Sequence, residues 1–576
     1  MSKRLLILFL LFAKFSSAQY YLRGEVKDER NNLLPNATIV LHSTGYLYSS
    51  GGSGSFGILT QKKTDSITIS LQGYQPLSLT IESGKYQLIT LKLMHGNSSV
   101  QKNRLLSFTK DLQLEKREHW LAAGESYSSL IENEFVNAAK YPETGFGVRI
   151  DKASYSNVRR FLNMETKVPY DAVRVEEMLN YFNFGYTAPK GDDLFSFDSQ
   201  LTDCPWNASN QLLFLKLCAR KIDTAKVPPG NLVFLIDVSG SMDMPNRLPL
   251  LKSAFKLLVD NLREKDTVSI VVYGGTTGVF LTPTSGKEKN KIRKAIEELN
   301  PGGSTPGASG ILSAYRLAKS KFIEGGNNRV ILATDGDFNV GQNTEEELDQ
   351  LITANKEQGI YLTCLGVGMG NYKDSKLEIL ARKGNGNFAY LDSDEEAEKV
   401  LVKELTQTLY TVSDNTSVSI GFNNKSVKEY RLVGYDNKLK QLTDTITEIE
   451  GGEVGSGHSM LAMFEIIPTT GSVNTIADVK LNYQLPFDTT RRSYSYTIKN
   501  NFIEFKELPP HYRVAASVAM FGSLLKESVH AKNISWNDAI ILANESIDQS
   551  DPVEKEFLII IEKAKKIYSK RKNRKH

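Results

Sequence analysis

Strand-like and helix-like segments alternate without a break between residues 231 and 412. The apolar runs NLVFLID, DTVSIVVYG, RVILATD, IYLTCLGVG and NFAYLD are typical of strands, and amphipathic segments such as RLPLLKSAFKLLVDNLRE separate them. A continuous apolar run is typical of a strand buried on both faces. Strict alternation favours parallel strands joined by crossover helices. This part of the chain is therefore predicted to form a doubly wound α/β parallel sheet with helices on both faces.

The rest of the 576-residue chain divides into segments of different pattern. Short β-like runs at 19–94 predict a small β-sandwich, and 95–130 read as a linker with a helix. The remaining predicted units are a mixed region at 131–228, the α/β domain at 229–412, a β-rich region at 413–510 and a helical region at 511–576. Because each flanking β region has few strands, we expect the two to form one platform into which the α/β domain is inserted.

Composition limits the class of protein. Hydrophobic residues make up 40% and charged residues 24% of the chain, which is typical of a folded protein. The net charge is only +4, so there is no reason to expect a nucleic-acid partner. The basic end at 569–576 is interpreted as a solvated tail.

The amino terminus resembles an export signal. Lys3 and Arg4 precede an apolar core, and the small residues Ser16 and Ala18 follow it. This pattern predicts a signal peptide at 1–18, too short to span a membrane. No later segment has the roughly 18 apolar residues of a membrane helix. We therefore expect an exported, soluble protein of the periplasm or cell surface, without a transmembrane segment in the mature chain.

The chain has three cysteines, so at least one is a free thiol. Cys204 and Cys218 lie on the two predicted strands of one hairpin, and the hairpin register places Cys204 opposite a residue near Gln211. A disulfide between them is therefore not favoured, although the sequence leaves it open. Cys364 is interpreted as a buried small hydrophobic residue.

Oxygen-bearing side chains follow two of the predicted strands. The run LVFLI ends in Asp237, Ser239 and Ser241, and the run RVILAT ends in Asp335. The glycine-lined loop 301–307 adds Thr305. Because open α/β sheets bind ligands at the carboxyl ends of their strands, we expect these side chains to lie together. Two carboxylates and three hydroxyls, without His or Cys, suit a hard cation such as Mg²⁺.

These residues resemble a known site. Asp237-x-Ser239-x-Ser241, Thr305 and Asp335 match, in order, the metal-ion-dependent adhesion site of von Willebrand factor type A domains. From about residue 131 to the end, segments such as YPETGFGVRIDKASYSNVRRFLN and ILATDGDFNVG resemble bacterial exported A-domain proteins labelled calcium-activated chloride channel homologues.

A second resemblance covers residues 19–94. The segment is similar to the carboxypeptidase-regulatory-like domain, a non-catalytic spacer, at Gly24, Val26, the run Leu34-Pro35-Asn36-Ala37, Gly54, Phe56 and Gly73-Tyr74. The resemblance implies a β-sandwich spacer of the kind found in exported bacterial proteins.

The adhesion-site resemblance implies a function. A domains of this type capture an Asp or Glu carboxylate of a partner protein on a bound Mg²⁺, with Mn²⁺ or Ca²⁺ as alternatives. If the hydroxyls bind the metal directly, neutral oxygens leave most of its charge uncompensated, which favours an incoming carboxylate. The loops 242–247, 274–277, 337–343 and 368–373 are predicted to form the rim around the metal.

Other readings stay open. The five residues could merely cap turns, and the metal could have a structural role in a stable envelope assembly. A metal-dependent hydrolase is a further alternative, but all seven histidines lie outside the α/β domain, and no His-Glu-x-x-His or Gly-x-Ser-x-Gly motif is present. A channel is not supported, because a pore needs spanning helices or a closed barrel. The partner and the oligomeric state are not predicted.

Overall fold

The computed structural model describes residues 20–569 except 30, 72–73, 93–124, 129, 149–150, 224–226, 275–276, 304–306, 337–344, 370–371, 405–406, 408–409, 436–450, 472 and 487. The predicted signal peptide, most of the predicted linker helix and Thr305 lie outside the described residues. In the described part of the chain, no helix is both long enough and apolar enough to cross a membrane.

Residues 20–91 form two facing β-sheets. The strands are β1 (Tyr20–Asp28), β2 (Thr38–Leu41), β3 (Leu47–Ser49), β4 (Ser55–Thr60), β5 (Thr64–Ser70), β6 (Leu77–Glu82) and β7 (Tyr86–Leu91). One sheet has the order β4-β1-β7 and the other β3-β2-β5-β6. Alternate residues of the longer strands, such as Leu22 and Val26 in β1 and Ile67 and Ile69 in β5, are buried in one shared core. This is the β arrangement that the sequence pattern predicted.

A mixed region precedes the α/β unit. Its strands and helices are β8 (Val136–Asn137), β9 (Glu143–Gly147), α1 (Ala153–Asn163), α2 (Val175–Asn180), β10 (Phe195–Cys204) and β11 (Asn207–Ala219). In the β10–β11 hairpin Asp203 pairs with Gln211, and after a bulge Cys204 pairs with Asn207. Cys204 and Cys218 are therefore not opposite one another, and both are free thiols.

The α/β unit alternates as expected. Its strands are β12 (Gly230–Asp237), β13 (Thr267–Tyr273), β14 (Gly278–Ser285), β15 (Asn327–Thr334), β16 (Ile360–Gly366) and β17 (Phe388–Tyr390). Its helices are α3 (Leu248–Asp260), α4 (Lys289–Glu297), α5 (Gly307–Ser320), α6 (Glu345–Glu357), α7 (Asp374–Lys383) and α8 (Asp394–Glu398). Ser393 caps α8 by accepting a hydrogen bond from the Glu396 amide.

The six strands form one sheet in the order β14-β13-β12-β15-β16-β17. Alternate residues of β12 enter cores on opposite faces of this sheet. Phe234 packs with α3 and α4 on one face, and Leu235 packs with α5, α6 and α7 on the other. The doubly wound arrangement is therefore present, with each apolar strand buried on both sides.

One prediction for this sheet was wrong, because it is not entirely parallel. Strand β14 was not predicted, and it pairs antiparallel with β13 at the sheet edge. Only residues 274–277 connect the two strands. A connection this short makes a hairpin, since a parallel pair needs a crossover of about a dozen residues.

A third region follows the α/β unit. Its elements are β18 (Thr411–Phe422), β19 (Val427–Val433), β20 (Gly452–Gly455), β21 (Ser459–Pro468), β22 (Thr475–Gln484), β23 (Arg492–Lys499), α9 (Pro510–Leu525), α10 (Trp536–Ser546) and α11 (Pro552–Ser569). The last three helices share a core with α1, α2 and β11, which includes Phe521, Phe557, Tyr155 and Phe214.

Strands from before and after the α/β unit pair in common sheets. One sheet has the order β10-β11-β21-β19-β8, and the other has the order β20-β18-β22-β23 with β9 beside β18. Each sheet therefore takes strands from both sides of the α/β unit along the chain, which is what the insertion hypothesis predicts. We refer to these two sheets, with the helices packed on them, as the platform.

Both neighbours contact the α/β unit through polar groups. From the sandwich, the Ser49 amide donates to the Thr277 carbonyl at 3.3 Å, and Ser313 donates to the Leu47 carbonyl at 3.0 Å. From the platform, Glu453 Oε1 forms an ion pair with Arg329 Nη2 at 2.7 Å, and the Arg329 side chain is completely buried. A buried ion pair stabilises only while both partners are present.

We expect Glu453→Gln to destabilise the protein by about 3 kcal/mol, because it leaves the buried Arg329 cation without its counter-charge. Urea unfolding monitored by circular dichroism measures the change. The matched control is Glu298→Gln, which removes an exposed carboxylate 3.8 Å from Lys294 and should cost less than about 1 kcal/mol. Equal unfolding midpoints for the two variants would contradict this account of the interface.

Candidate metal centre

Two carboxylates meet where the central strands of the α/β sheet end. Strands β12 and β15 are parallel neighbours, with Ile236 paired with Ala333, so Asp237 lies beside the end of β15 and Asp335 follows directly. Asp237 is completely buried and Asp335 is 2% exposed. The two acidic residues predicted from separate apolar runs therefore do come together at one sheet edge.

Hydrogen bonds orient the Asp237 carboxylate. The Ser239 amide donates to Oδ1 at 2.8 Å, and the Thr334 hydroxyl donates to Oδ2 at 2.9 Å. Burial raises the pKa of Asp237 to about 6, and the nearby negative charge of Asp335 adds to the increase. Burial thus disfavours the negative charge of this carboxylate, and a bound cation would offset that cost.

The predicted serines also converge. After β12 the chain makes a single 3-10 turn at Gly240–Met242, which brings the Ser239 hydroxyl within 3.0 Å of the Ser241 hydroxyl. Ser239 is buried and Ser241 is exposed. The pair therefore connects the buried carboxylates with the protein surface.

The loop that carries Thr305 begins beside the serine turn that follows β12. The Gly302 amide donates to the Val238 carbonyl at 2.7 Å, and the Gly240 amide donates to the Gly303 carbonyl at 3.1 Å. The backbone at Gly302 and Gly303 therefore lies against the turn that follows β12. Thr305 itself lies outside the described residues, so its place in the site stays a prediction.

A glycine that the motif did not include also shapes the site. Gly274, directly after β13, has a positive φ of 111°, and a Cβ at this position would lie 2.3 Å from the Ser239 amide nitrogen. A side chain at residue 274 would therefore push the serine turn away from Asp237. A glycine right after an apolar strand was the only sequence signal for this role.

Arg247 contacts the candidate site, although the sequence motif did not include it. Its guanidinium Nη1 lies 2.6 Å from Asp335 Oδ2 and 2.6 Å from the Ser241 carbonyl, and Nη2 lies 2.7 Å from the Met369 carbonyl. The sequence placed this residue in the rim loop 242–247. No motif includes an arginine ten positions after Asp237, so the sequence did not connect Arg247 with the site. Only the fold brings it to Asp335.

The described residues suit a hard divalent cation. They supply two carboxylates and two hydroxyls, and the described part of the chain has no group of three or more His, Cys, Asp or Glu side chains that could hold a metal. The candidate therefore depends on hydroxyl oxygens in addition to carboxylates. Oxygen ligands of this kind are those that Mg²⁺ and Mn²⁺ accept, whereas zinc sites in proteins use mainly nitrogen and sulfur.

Comparison with known proteins identifies the family to which these regions belong. The von Willebrand factor type A domain family matches residues 231–408, and a family described as von Willebrand factor matches residues 122–214. A family described as the C-terminal part of uncharacterized protein YfbK matches residues 407–478 and 469–567. Together these three matches cover the α/β unit and the two parts of the platform that precede and follow it in the sequence.

Two relatives and one solved structure are similar to parts of this chain. Uncharacterized protein YfbK of Escherichia coli (strain K12) is 34% identical over 464 residues, which cover 76% of this chain and 80% of that protein. Human inter-alpha-trypsin inhibitor heavy chain H2 is 24% identical over 352 residues, covering 56% of this chain and 35% of that protein. A solved von Willebrand factor type A protein from Catenulispora acidiphila has 16% identity and a TM-score of 0.38, covering 61% of this chain and 86% of that one.

The α/β unit is therefore a von Willebrand factor type A (VWA) domain within a multi-domain protein of mixed sheets and helices. The chain as a whole belongs to the YfbK family of VWA domain proteins. The chloride-channel-homologue label and the carboxypeptidase-regulatory-like resemblance of residues 19–94 remain predictions.

We expect Asp237→Asn to abolish stabilisation by Mg²⁺ without weakening the metal-free protein. The substitution removes a charge that burial disfavours, and it also removes a carboxylate from the donor set. Thermal unfolding is measured in EDTA and in excess Mg²⁺, which should stabilise the unmodified protein by about 2.7 kcal/mol at 100 times its dissociation constant.

The matched control is Asp260→Asn, which changes an exposed carboxylate of the same domain. It should keep the full response to Mg²⁺. A Mg²⁺ response that persists in Asp237→Asn would show that this carboxylate does not belong to a metal site.

Proposed function

We propose that this protein binds an acidic side chain of a partner protein through a divalent cation, with Mg²⁺ as the first candidate. The residues that would hold the cation are Asp237, Ser239, Ser241, Thr305 and Asp335. Membership of a VWA family and the convergence of four of these five residues at one sheet edge support the proposal.

The observation that carries the proposal is the change of exposure across the site. Asp237, Ser239 and Asp335 are buried, whereas Ser241 is exposed and its hydroxyl lies 3.0 Å from that of Ser239. The oxygen donors are therefore shielded from solvent at the aspartates and accessible to solvent at Ser241. A ligand from another molecule would therefore approach past Ser241, where a rigid partner can reach it.

The chemistry of the donors favours a carboxylate as that ligand. When bound, the cation supplies positive charge that a neutral hydroxyl offsets only weakly. The side chains of Ser239 and Ser241 contribute no negative charge, and the two aspartates contribute two. A partner Asp or Glu would add a further negative oxygen, which hard cations prefer.

A binding role fits this site better than catalysis does. All seven histidines of the chain lie outside residues 229–412, so the VWA domain has no imidazole to act as a general base. We also propose that the protein is exported, from the signal-like pattern at 1–18, and that it acts in the cell envelope. The alternative within this class is a structural metal in a permanent envelope assembly.

Affinity capture from an envelope extract tests the proposal. The protein is used as bait with Mg²⁺, with EDTA, and as the Ser239→Ala variant, which removes one hydroxyl donor from the site. We expect a partner that is retained with Mg²⁺ and lost in both other conditions. Calorimetry with Mg²⁺ should show binding by the unmodified protein and at least about tenfold weaker binding by Ser239→Ala, since one direct ligand is lost.

The matched control is Ser285→Ala, because Ser285 pairs with Thr267 at the opposite end of the sheet. This variant should capture the partner as well as the unmodified protein does. A stoichiometric complex that survives EDTA would instead support the structural assembly. Failure of the unmodified protein to bind any divalent cation would contradict both versions.

A further inference from the structure

A fixed positive charge lies inside the candidate metal centre. The Arg247 side chain is only 12% exposed and forms a 2.6 Å ion pair with Asp335, whose side chain is 2% exposed. The same guanidinium donates to the carbonyls of Ser241 and Met369 at 2.6 and 2.7 Å. Arg247 is therefore a largely buried, hydrogen-bonded part of the candidate site and not a mobile surface side chain.

The contacts of Arg247 keep its guanidinium in place. Two backbone carbonyls on different loops and one carboxylate together accept hydrogen bonds from both Nη atoms. Gly368 leaves the room that this needs, because a Cβ there would lie 2.5 Å from Arg247 Nε. The arginine is thus oriented before any ligand arrives, which lowers the entropy lost on binding.

The charge of Arg247 changes the balance of the loaded site. Asp237 and Asp335 carry two negative charges, which would cancel the two positive charges of a bound divalent cation. Arg247 then leaves the site with a net charge of about +1. Arg160 donates to the Gly368 carbonyl nearby, but Glu125 neutralises it through two hydrogen bonds of 2.9 and 2.8 Å, so it does not alter this balance.

We infer that Arg247 is a specificity-determining residue that makes the loaded site select an anionic ligand, at the expense of cation affinity. The inference rests on the proposed function. The Arg247 guanidinium and the bound cation would both interact with the Asp335 carboxylate. The carboxylate would therefore bind the cation more weakly than it would without Arg247. The same positive charge attracts an incoming carboxylate, so the two affinities change in opposite directions when Arg247 is replaced.

The test uses the full chain with Mn²⁺ and acetate as probes at constant ionic strength. Water-proton relaxation reports Mn²⁺ binding, and its decrease on adding acetate reports a carboxylate displacing water from the ion. Acetamide serves as the uncharged comparison. Removal of one unit charge next to the ion should change each affinity by about tenfold even with protein-surface screening.

For Arg247→Gln we expect about tenfold tighter Mn²⁺ binding and about tenfold weaker acetate binding, with acetamide unchanged. Arg247→Lys keeps the charge and should restore acetate binding to within about threefold of the unmodified protein. The matched control is Arg293→Gln, which removes an exposed arginine paired with Asp260 on the same domain and should change neither affinity. Thermal unfolding in EDTA verifies that each variant is folded.

The outcomes separate this inference from the proposed function. If the unmodified protein does not bind Mn²⁺, the proposed function fails. If it binds Mn²⁺ and acetate but Arg247→Gln binds both as before, or both more weakly, the role of Arg247 as a charge selector is wrong. The selector is also wrong if Arg247→Lys loses acetate binding, because the shape of the guanidinium, rather than its charge, would then control the ligand.

Discussion

Two carboxylates buried side by side at one sheet edge are the constraint on which the site depends. Asp237 and Asp335 follow neighbouring parallel strands, so the fold forces their negative charges together away from water. Like charges in a buried position are unfavourable unless hydrogen bonds or cations compensate them. The Ser239 amide, the Thr334 hydroxyl and the Arg247 guanidinium provide part of that compensation. A divalent cation would supply the rest of the positive charge, which is the physical basis of the metal centre that we propose.

The regions around the VWA domain reach the rim of this site. The sandwich contacts the amino-terminal end of α5, where Ser49 and Ser309 hydroxyls lie 3.2 Å apart, four residues beyond Thr305. From the platform side, α1 places Arg160 against the Gly368 carbonyl at 3.3 Å, next to the loop that holds Arg247. The surface that a partner would meet is therefore built by several regions, and the isolated VWA domain would present only part of it.

The sequence predicted those parts of the structure that depend on local pattern. Alternating apolar runs identified the strands from β12 to β17 apart from β14, and an acidic residue after an apolar run identified Asp237 and Asp335. Long-range features were harder. The pairing of β11 with β21 joins segments on either side of the VWA domain. The only sequence signal for it was that each flanking region has too few strands to form a sheet of its own. Arg247 was missed for the same reason, because its role comes from a contact with Asp335 88 positions away.

The central claim is that the carboxylates and hydroxyls at this edge enclose one divalent cation. A crystal of the full chain soaked in Mn²⁺, with diffraction collected at the manganese absorption edge, measures this directly. The account predicts one strong anomalous peak in direct contact with the Ser239 and Ser241 hydroxyls, at a distance near the roughly 2.0–2.1 Å typical of Mg²⁺. A map without a peak at this edge, in which the two hydroxyls remain hydrogen-bonded to each other, would contradict it.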